Sequence, residues 1–347
     1  MNLVSNRLAF LVSVLKAREA RAVGHAVLEE ILSRASSVAE ALELLKNTDL
    51  GGFLASRGAD GFEQVDRLLW EYLGEYFREI CTLRPHPPAV RIVERYLEKY
   101  DTANIIGALR STLGRGAAPL VPVGTLSGRG LLESLSRAQA PPEIADLVTR
   151  AGMTEYALPI RAMRDADPGS LRQVERRLEG RYLSRLGEAL AGTDAGRILP
   201  AAHGMLKDRL VLGGLIRGAI SDSVARAAPD GDYSGGYLLT PGLIRELAAM
   251  NASEIARRLD DSPYRVLGRD LARQLEQQRN HEIDRVLDHH LLERLRDLLS
   301  ARPLSVAAVL WHLVFKENEL RSVRIVLKSV QDGLPPAEAR EYLAEAV

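Results

Sequence analysis

Apolar residues recur along almost the whole chain at spacings of three and four, which traces one buried stripe along an α-helix. No stretch alternates β-branched and polar positions as a half-buried strand would. Leucine, alanine, arginine and glutamate dominate these segments, and all four favour helix. The pattern predicts an all-α protein with many helices of ordinary length. Proline and glycine place breaks at Asp49-Leu50-Gly51-Gly52, Arg84-Pro85-His86-Pro87-Pro88, 114–122, Pro141-Pro142, 230–236 and 333–336.

The helical pattern repeats. Val65-Asp66-Arg67-Leu68-Leu69 returns as Val174-Glu175-Arg176-Arg177-Leu178 and as Ile283-Asp284-Arg285-Val286-Leu287, the same spacing separating the three copies. One apolar stripe continues each copy: Leu73, Phe77 and Ile80, then Tyr182, Leu186 and Ala189, then Leu291, Leu295 and Leu298. A second element opens on an acid and reaches a base nine positions on: Asp101 and Arg110, Asp208 and Arg217, Glu319 and Lys328. Within it, Ile105/Ala108/Leu109, Leu212/Leu215/Ile216 and Val323/Val326/Leu327 share their offsets. At the junctions, Leu120-Val-Pro-Val-Gly124-Thr-Leu resembles Leu238-Leu-Thr-Pro-Gly242-Leu-Ile, a proline–glycine turn leading into a new helix. Two elements repeating in step predict three similar helical domains, over residues 1–115, 116–225 and 226–347.

Nine residues turn a helix through two and a half revolutions, so Asp101 and Arg110 face opposite sides and form no local pair. Two accounts of the recurring acid and base follow. An acid near a helix start and a base near its end complement the macrodipole. Alternatively, Arg110, Arg217 and Lys328, related by the repeat, point toward a common axis or partner surface. Asn104 belongs to the first copy alone and is expected to bond backbone locally.

Composition narrows the function. There are 46 basic and 46 acidic residues, a formal net charge of zero, which does not favour an electrostatic nucleic-acid binder. Cys81 is the only cysteine, so no internal disulfide forms. The longest apolar runs, 8–15 and 304–315, are too short to cross a bilayer, and no export signal is expected. No phosphate-loop pattern occurs, and Gly114-Arg-Gly116 and Gly128-Arg-Gly130 read as helix stops rather than a dinucleotide fingerprint. Cys81 reads as packing in an apolar stripe. The segment containing His281, Asp284, Asp288, His289 and His290 is the one candidate for a metal, because Asp284 and Asp288 are one turn apart. The other copies carry no matching ligands, and a solvated helix face is the expected role; no catalytic, cofactor or metal residue is assigned. A triplicated helical chain of this kind points to scaffolding or coupling, with a peptide-binding helical adaptor and an all-α metal-dependent enzyme as the competing readings.

Three motifs carry a family resemblance. Tyr100-Asp101-Thr-Ala-Asn104-Ile105 runs into Leu109-Arg110, and Leu120-Val-Pro-Val-Gly124-Thr-Leu follows. Lys316-Glu-Asn-Glu319-Leu-Arg321 then runs through Lys328 to Gly333-Leu334-Pro335. In order and spacing these resemble the C subunits of V/A-type rotary ATPases, whose counterparts in eukaryotic V-ATPases are the d subunits, and the resemblance spans essentially the whole chain. It implies a funnel-shaped, pseudo-three-fold protein on the cytoplasmic side of the membrane proteolipid ring. There it forms a socket for the central stalk, made of the D and F subunits, and passes torque between stalk and ring. It also implies no catalytic residue, no cofactor, and membrane association only through the ring. Arg110, Arg217 and Lys328, with Arg321 and Arg324, are the expected partner-binding bases. The copies depart from one another at Val211, Gly213-Gly214 and Ser322.

Overall fold

The computed structural model describes residues 3–83, 86–116, 119–163, 168–191, 193, 195–220 and 236–343. Among them every regular element is helical, as the periodicity predicts. The first copy supplies α1 (Leu3–Glu19), α2 (His25–Arg34), α3 (Val38–Leu45), α4 (Asp49–Ser56) and the long α5 (Phe62–Thr82) and α6 (Pro87–Thr112). The second supplies α7 (Thr125–Gly128), α8 (Leu132–Ser136), α9 (Pro141–Arg150), α10 (Thr154–Arg161) and the long α11 (Pro168–Ala191) and α12 (Ile198–Ile220). The third supplies α13 (Pro241–Ala248), α14 (Ala252–Asp260), α15 (Arg265–Glu276), the long α16 (Ile283–Ser300) and α17 (Val306–Asp332), and finally α18 (Pro336–Leu343). In each copy shorter helices precede two longer ones, and in the third α18 follows them.

Most of the breaks hold at the residue level. Pro141 and Pro142 open α9, where their missing N–H groups cost nothing. Gly333 closes α17 in the left-handed conformation. The Asp49 break is displaced. Thr48 caps the next helix by accepting the Gly51 N–H at 3.0 Å, so Gly51 and Gly52 lie inside α4. Gly51 is needed there because a Cβ would sit 1.9 Å from the Leu45 carbonyl oxygen. Arg84, Pro85, residues 230–235 and the boundary at 225 lie outside the described residues.

The chain divides into two compact units, 1–93 with 302–347, and 94–301. In the second unit, one core joins Ile105, Ala108 and Leu109 of α6 to the short helices α7–α10 and to Leu171, Val174 and Leu178 of α11. A second core joins Val211, Leu212 and Ile216 of α12 to α13–α15 and to Ile283, Val286 and Leu287 of α16. Each core thus combines the second element of one copy with the short helices and first element of the next. The first unit repeats this scheme with the chain's two ends. There α17, buried at Leu313, Val323, Val326 and Leu327, packs against α1, α2, α3 and α5. Residue 115 falls within the sequence span of the first of the three cores.

Candidate functional site

The recurring acids are buried anchors. Asp101 is inaccessible and stands mid-way along α6, not at its start. Its carboxylate accepts the N–H of Thr125 and of Leu126, each at 2.8 Å, where α7 begins. Gly124 turns the chain there with φ of 99°, and a Cβ would lie 2.6 Å from the carboxylate. Asp208 does the same from α12, accepting the N–H of Leu238 at 2.7 Å and of Leu239 at 3.3 Å, with the Tyr264 hydroxyl at 2.6 Å. A Cβ on Gly236 would lie 1.9 Å from its other oxygen. Glu319 on α17 accepts the Val23 N–H at 2.8 Å, just before Gly24 and α2. The three copies share one device: a buried carboxylate on the second long helix ties down the backbone leading to the next set of short helices. The macrodipole account therefore fails for these acids.

Burial sets their charge state. It lifts the Asp101 pKa to about 6, against the opposing pull of the Leu126 and Thr125 N–H groups, and it raises that of Asp208. Asn104, one turn from Asp101, bonds backbone as expected but not locally. It accepts the N–H of Val121 at 2.7 Å and donates to its carbonyl at 2.8 Å.

The bases close the same joints from the outside. Arg110 grips Glu175 with two hydrogen bonds of 2.7 and 3.0 Å. Arg217 pairs with Asp284, which also meets Arg209 at 3.3 Å, while Arg209 donates to Asp288 at 2.7 Å. Arg324 grips Asp66 through both carboxylate oxygens. The acids Asp66, Glu175 and Asp284 are the same position of the repeated motif, and each pairs with a base of the preceding copy, the last copy counting as preceding the first. In the third copy the pairing base sits one turn before Lys328. Lys328 instead bonds Asp332 at 2.8 Å and covers the Phe62 ring. Arg321 is exposed on α17. Glu179, one turn beyond Glu175, is raised in pKa by burial and then by Glu175, and senses Arg217, Arg110 and Arg209. It links the two arginine pairs of the second unit into one charged seam.

A further layer, invisible in the motifs, lies one turn before each anchor. Glu98 is 3% exposed. It accepts the Tyr156 hydroxyl at 2.8 Å and two bonds from Arg185 at 2.9 and 3.1 Å, and pairs with Arg95. Arg185 also donates to Glu155 at 2.8 Å. In the first unit Lys316 takes the place of Glu98. Wholly buried, it pairs with Glu319 at 2.6 Å and lies 4.7 Å from the Tyr76 ring centre. His312 on the same helix meets the Tyr76 hydroxyl at 2.6 Å and Glu19 at 3.1 Å, and burial lowers its pKa.

The candidate metal segment is dispersed among other partners. Asp284 and Asp288 face the arginines of α12, His290 meets Asp270 at 2.9 Å and His281 meets Glu282 at 3.0 Å. No group of three or more ligand side chains occurs among the described residues. Gly114, Gly116 and Gly130 adopt positive φ, as helix stops do. Cys81 is partly buried. No helix among the described residues is long and apolar enough to cross a membrane. Chemically, this array holds polypeptide in register through charged hydrogen bonds.

Comparison with known proteins is consistent along the chain. The family model described as ATP synthase (C/AC39) subunit matches residues 11–342. The A-type ATP synthase C subunit of Thermococcus onnurineus is 27% identical over 342 residues, covering 96% of this chain and 88% of that protein. The proteins of the same name from Pyrococcus abyssi and Methanocaldococcus jannaschii are 23% and 21% identical over 335 and 347 residues. They cover 95% and 96% of this chain, and 88% and 86% of their own lengths.

Proposed function

The chain belongs to the ATP synthase (C/AC39) subunit family, and from that premise we propose that it is the non-catalytic central-rotor subunit of a V/A-type ion-translocating ATPase or ATP synthase. It works as a socket on the cytoplasmic side of the membrane, peripheral and held there by the proteolipid ring. The D/F central stalk seats in it, and torque passes between stalk and ring. The three sequence repeats, 1–115, 116–225 and 226–347, supply three similar helical domains in a pseudo-three-fold funnel. No cofactor enters this role.

The observation that carries the reading is the family match running over nearly the whole chain, 11–342. The threefold recurrence of one joint supports it, because a coupling part must transmit force without its segments slipping. Each joint is fixed twice, by a buried carboxylate on backbone N–H groups and by an arginine–carboxylate pair. Arg110, Arg217, Arg324 and Lys328 are each about half exposed, at 52, 50, 50 and 50%. Together with Arg321 they are the proposed partner-binding bases, which steer and register an acidic surface more than they add raw affinity.

The test is capture of co-expressed D and F subunits by the purified chain at low and high salt. Stoichiometric capture that weakens with salt supports the reading, and Arg110→Ala, Arg217→Ala and Lys328→Ala should each weaken it further. No capture, under conditions where D and F bind each other, removes the socket role.

A further inference from the structure

The joint one turn before each anchor is completed differently in the three copies, and one is left open. Glu98 and Arg185 form it in the second unit's first core, with Tyr156 and Glu155 closing around them. Counting along the repeat, Met205 stands where Glu98 does, Arg294 where Arg185 does, Tyr264 where Tyr156 does, and Pro263 where Glu155 does. Both carboxylates that clamp Arg185 are therefore missing around Arg294. What remains is one hydrogen bond, from Arg294 Nη2 to the Pro263 carbonyl at 3.1 Å. Arg294 is exposed, and its other four guanidinium donors face solvent with no acceptor among the described residues.

Arg294 borders a cavity where the packing is incomplete. A shallow cleft opens there among Met205, Leu212, Leu267, Leu287 and Leu291, with an enclosed space of about 30 Å³. Val266 forms an apolar lip, 58% exposed. Every other polar group on the wall is already engaged: the Tyr264 hydroxyl with Asp208, His290 with Asp270, and Arg209 with Asp284 and Asp288. The one unspent polar feature in an apolar pocket is a guanidinium edge.

We propose that this pocket receives a glutamate or aspartate side chain of a partner polypeptide, flanked by an apolar residue, with Arg294 holding the carboxylate. The proposal rests on the reading of the chain as one subunit of a protein complex. The repeat supplies the argument for the occupant: where the chain provides its own partner for this arginine, that partner is a glutamate presented from a helix, and here the helix presents Met205 instead. The planar fork of arginine matches a carboxylate in two bonds. An adjacent leucine of the partner would lie across the mouth, against Leu291 and the exposed Val266.

Two experiments on the full chain test this. In the first, methyl-¹³C methionine NMR follows the Met205 signal, assigned with Met205→Leu, against the acetylated, amidated tripeptide Leu-Glu-Leu and its Leu-Gln-Leu counterpart. A saturable shift with the glutamate peptide, at least ~10-fold weaker with the glutamine peptide and lost in Arg294→Ala, is the expected result. Equal response to both peptides, response unchanged in Arg294→Ala, or no response up to ~10 mM overturns it. In the second, Met205→Glu returns to this copy the carboxylate of the other. Its Tm should stay close to wild type while Met205→Glu/Arg294→Ala drops well below, and the Glu peptide should no longer bind. Equal drops in the single and double variants refute the open-partner argument. Capture of D and F with no peptide response would sink this inference and leave the socket reading standing, and a peptide response without that capture would do the reverse.

Discussion

Asparagine at position 101 keeps the shape of the anchor and removes its charge. Burial holds the Asp101 carboxyl at a pKa of about 6, from an ordinary 3.8. The folded protein therefore binds this proton more tightly than the unfolded chain does. The stabilisation from that proton is fully present at low pH and is lost as pH rises through the window between 3.8 and 6. Between pH 5 and pH 7 the wild type should lose roughly 1–1.5 kcal/mol from this group, a loss asparagine does not share. Asparagine offers one acceptor oxygen to two N–H groups, so it should cost ~1–3 kcal/mol at either pH for the bond left unmade. Urea unfolding of wild type and Asp101→Asn at both pH values reads the gap between them, which should narrow at pH 7. Hydrogen exchange gives the local view: Asp101→Ala orphans both N–H groups, and exchange at Thr125 and Leu126 should accelerate by ~100-fold. A stability gap that is constant or wider at pH 7 refutes the raised pKa, and unchanged exchange at those two amides refutes the anchoring role.

Other substitutions probe the remaining joints. Lys316→Met leaves the Glu319 carboxylate buried without its cation and should cost ~3–5 kcal/mol, much of it recovered by Glu319→Gln in the same chain, as chemical denaturation would show. Gly236→Ala puts a Cβ against Asp208, which Leu238, Leu239 and Tyr264 hold in place; a clear fall in Tm is expected, whereas Gly214→Ala, with open space around it, should raise Tm or leave it alone. His312 is kept neutral by burial, its pKa below the usual 6.5, so its contribution is present above that pH and fades as pH falls below it; His312→Gln should flatten the acid limb of the stability profile, and an identical limb would contradict this.

Sequence periodicity exposed the helices, the repeated elements and, in the first two copies, both members of the acid–base device, because each is written in residues that recur at fixed spacing; in the third copy it pointed to Lys328, whereas Arg324 makes the joint. Asp66, Glu175 and Asp284 were visible as a repeated position, yet their partners were not. A pair between Arg324 and Asp66 joins the two ends of the chain, and no local pattern announces it. The acids looked like helix-start residues because their helices' true beginnings, such as Pro87 for Asp101, lie about three to four turns earlier. The metal reading of Asp284 and Asp288 arose from their i, i+4 spacing, and only packing reveals that α12 faces them with two arginines. Met205 and Arg294 carry no signal alone. They become informative once Glu98 and Arg185 are seen in contact, since the meaning lies in what one copy has and another lacks.

The joint between the two ends also sets the order in which the molecule can be made. Val23 waits for Glu319, and Asp66 for Arg324, whereas the cores around α7–α10 and α13–α15 draw on residues within about a hundred positions of one another. At ~5–20 residues per second of synthesis, α17 emerges roughly 15–60 s after α2. During that interval Leu28, Ile31, Ala41, Leu45 and Leu73, all buried in the finished protein, have no helix to close over them. The middle of the chain can settle on the ribosome as it appears. The beginning cannot, and the apolar face of its first ninety residues stays open until α17 is delivered.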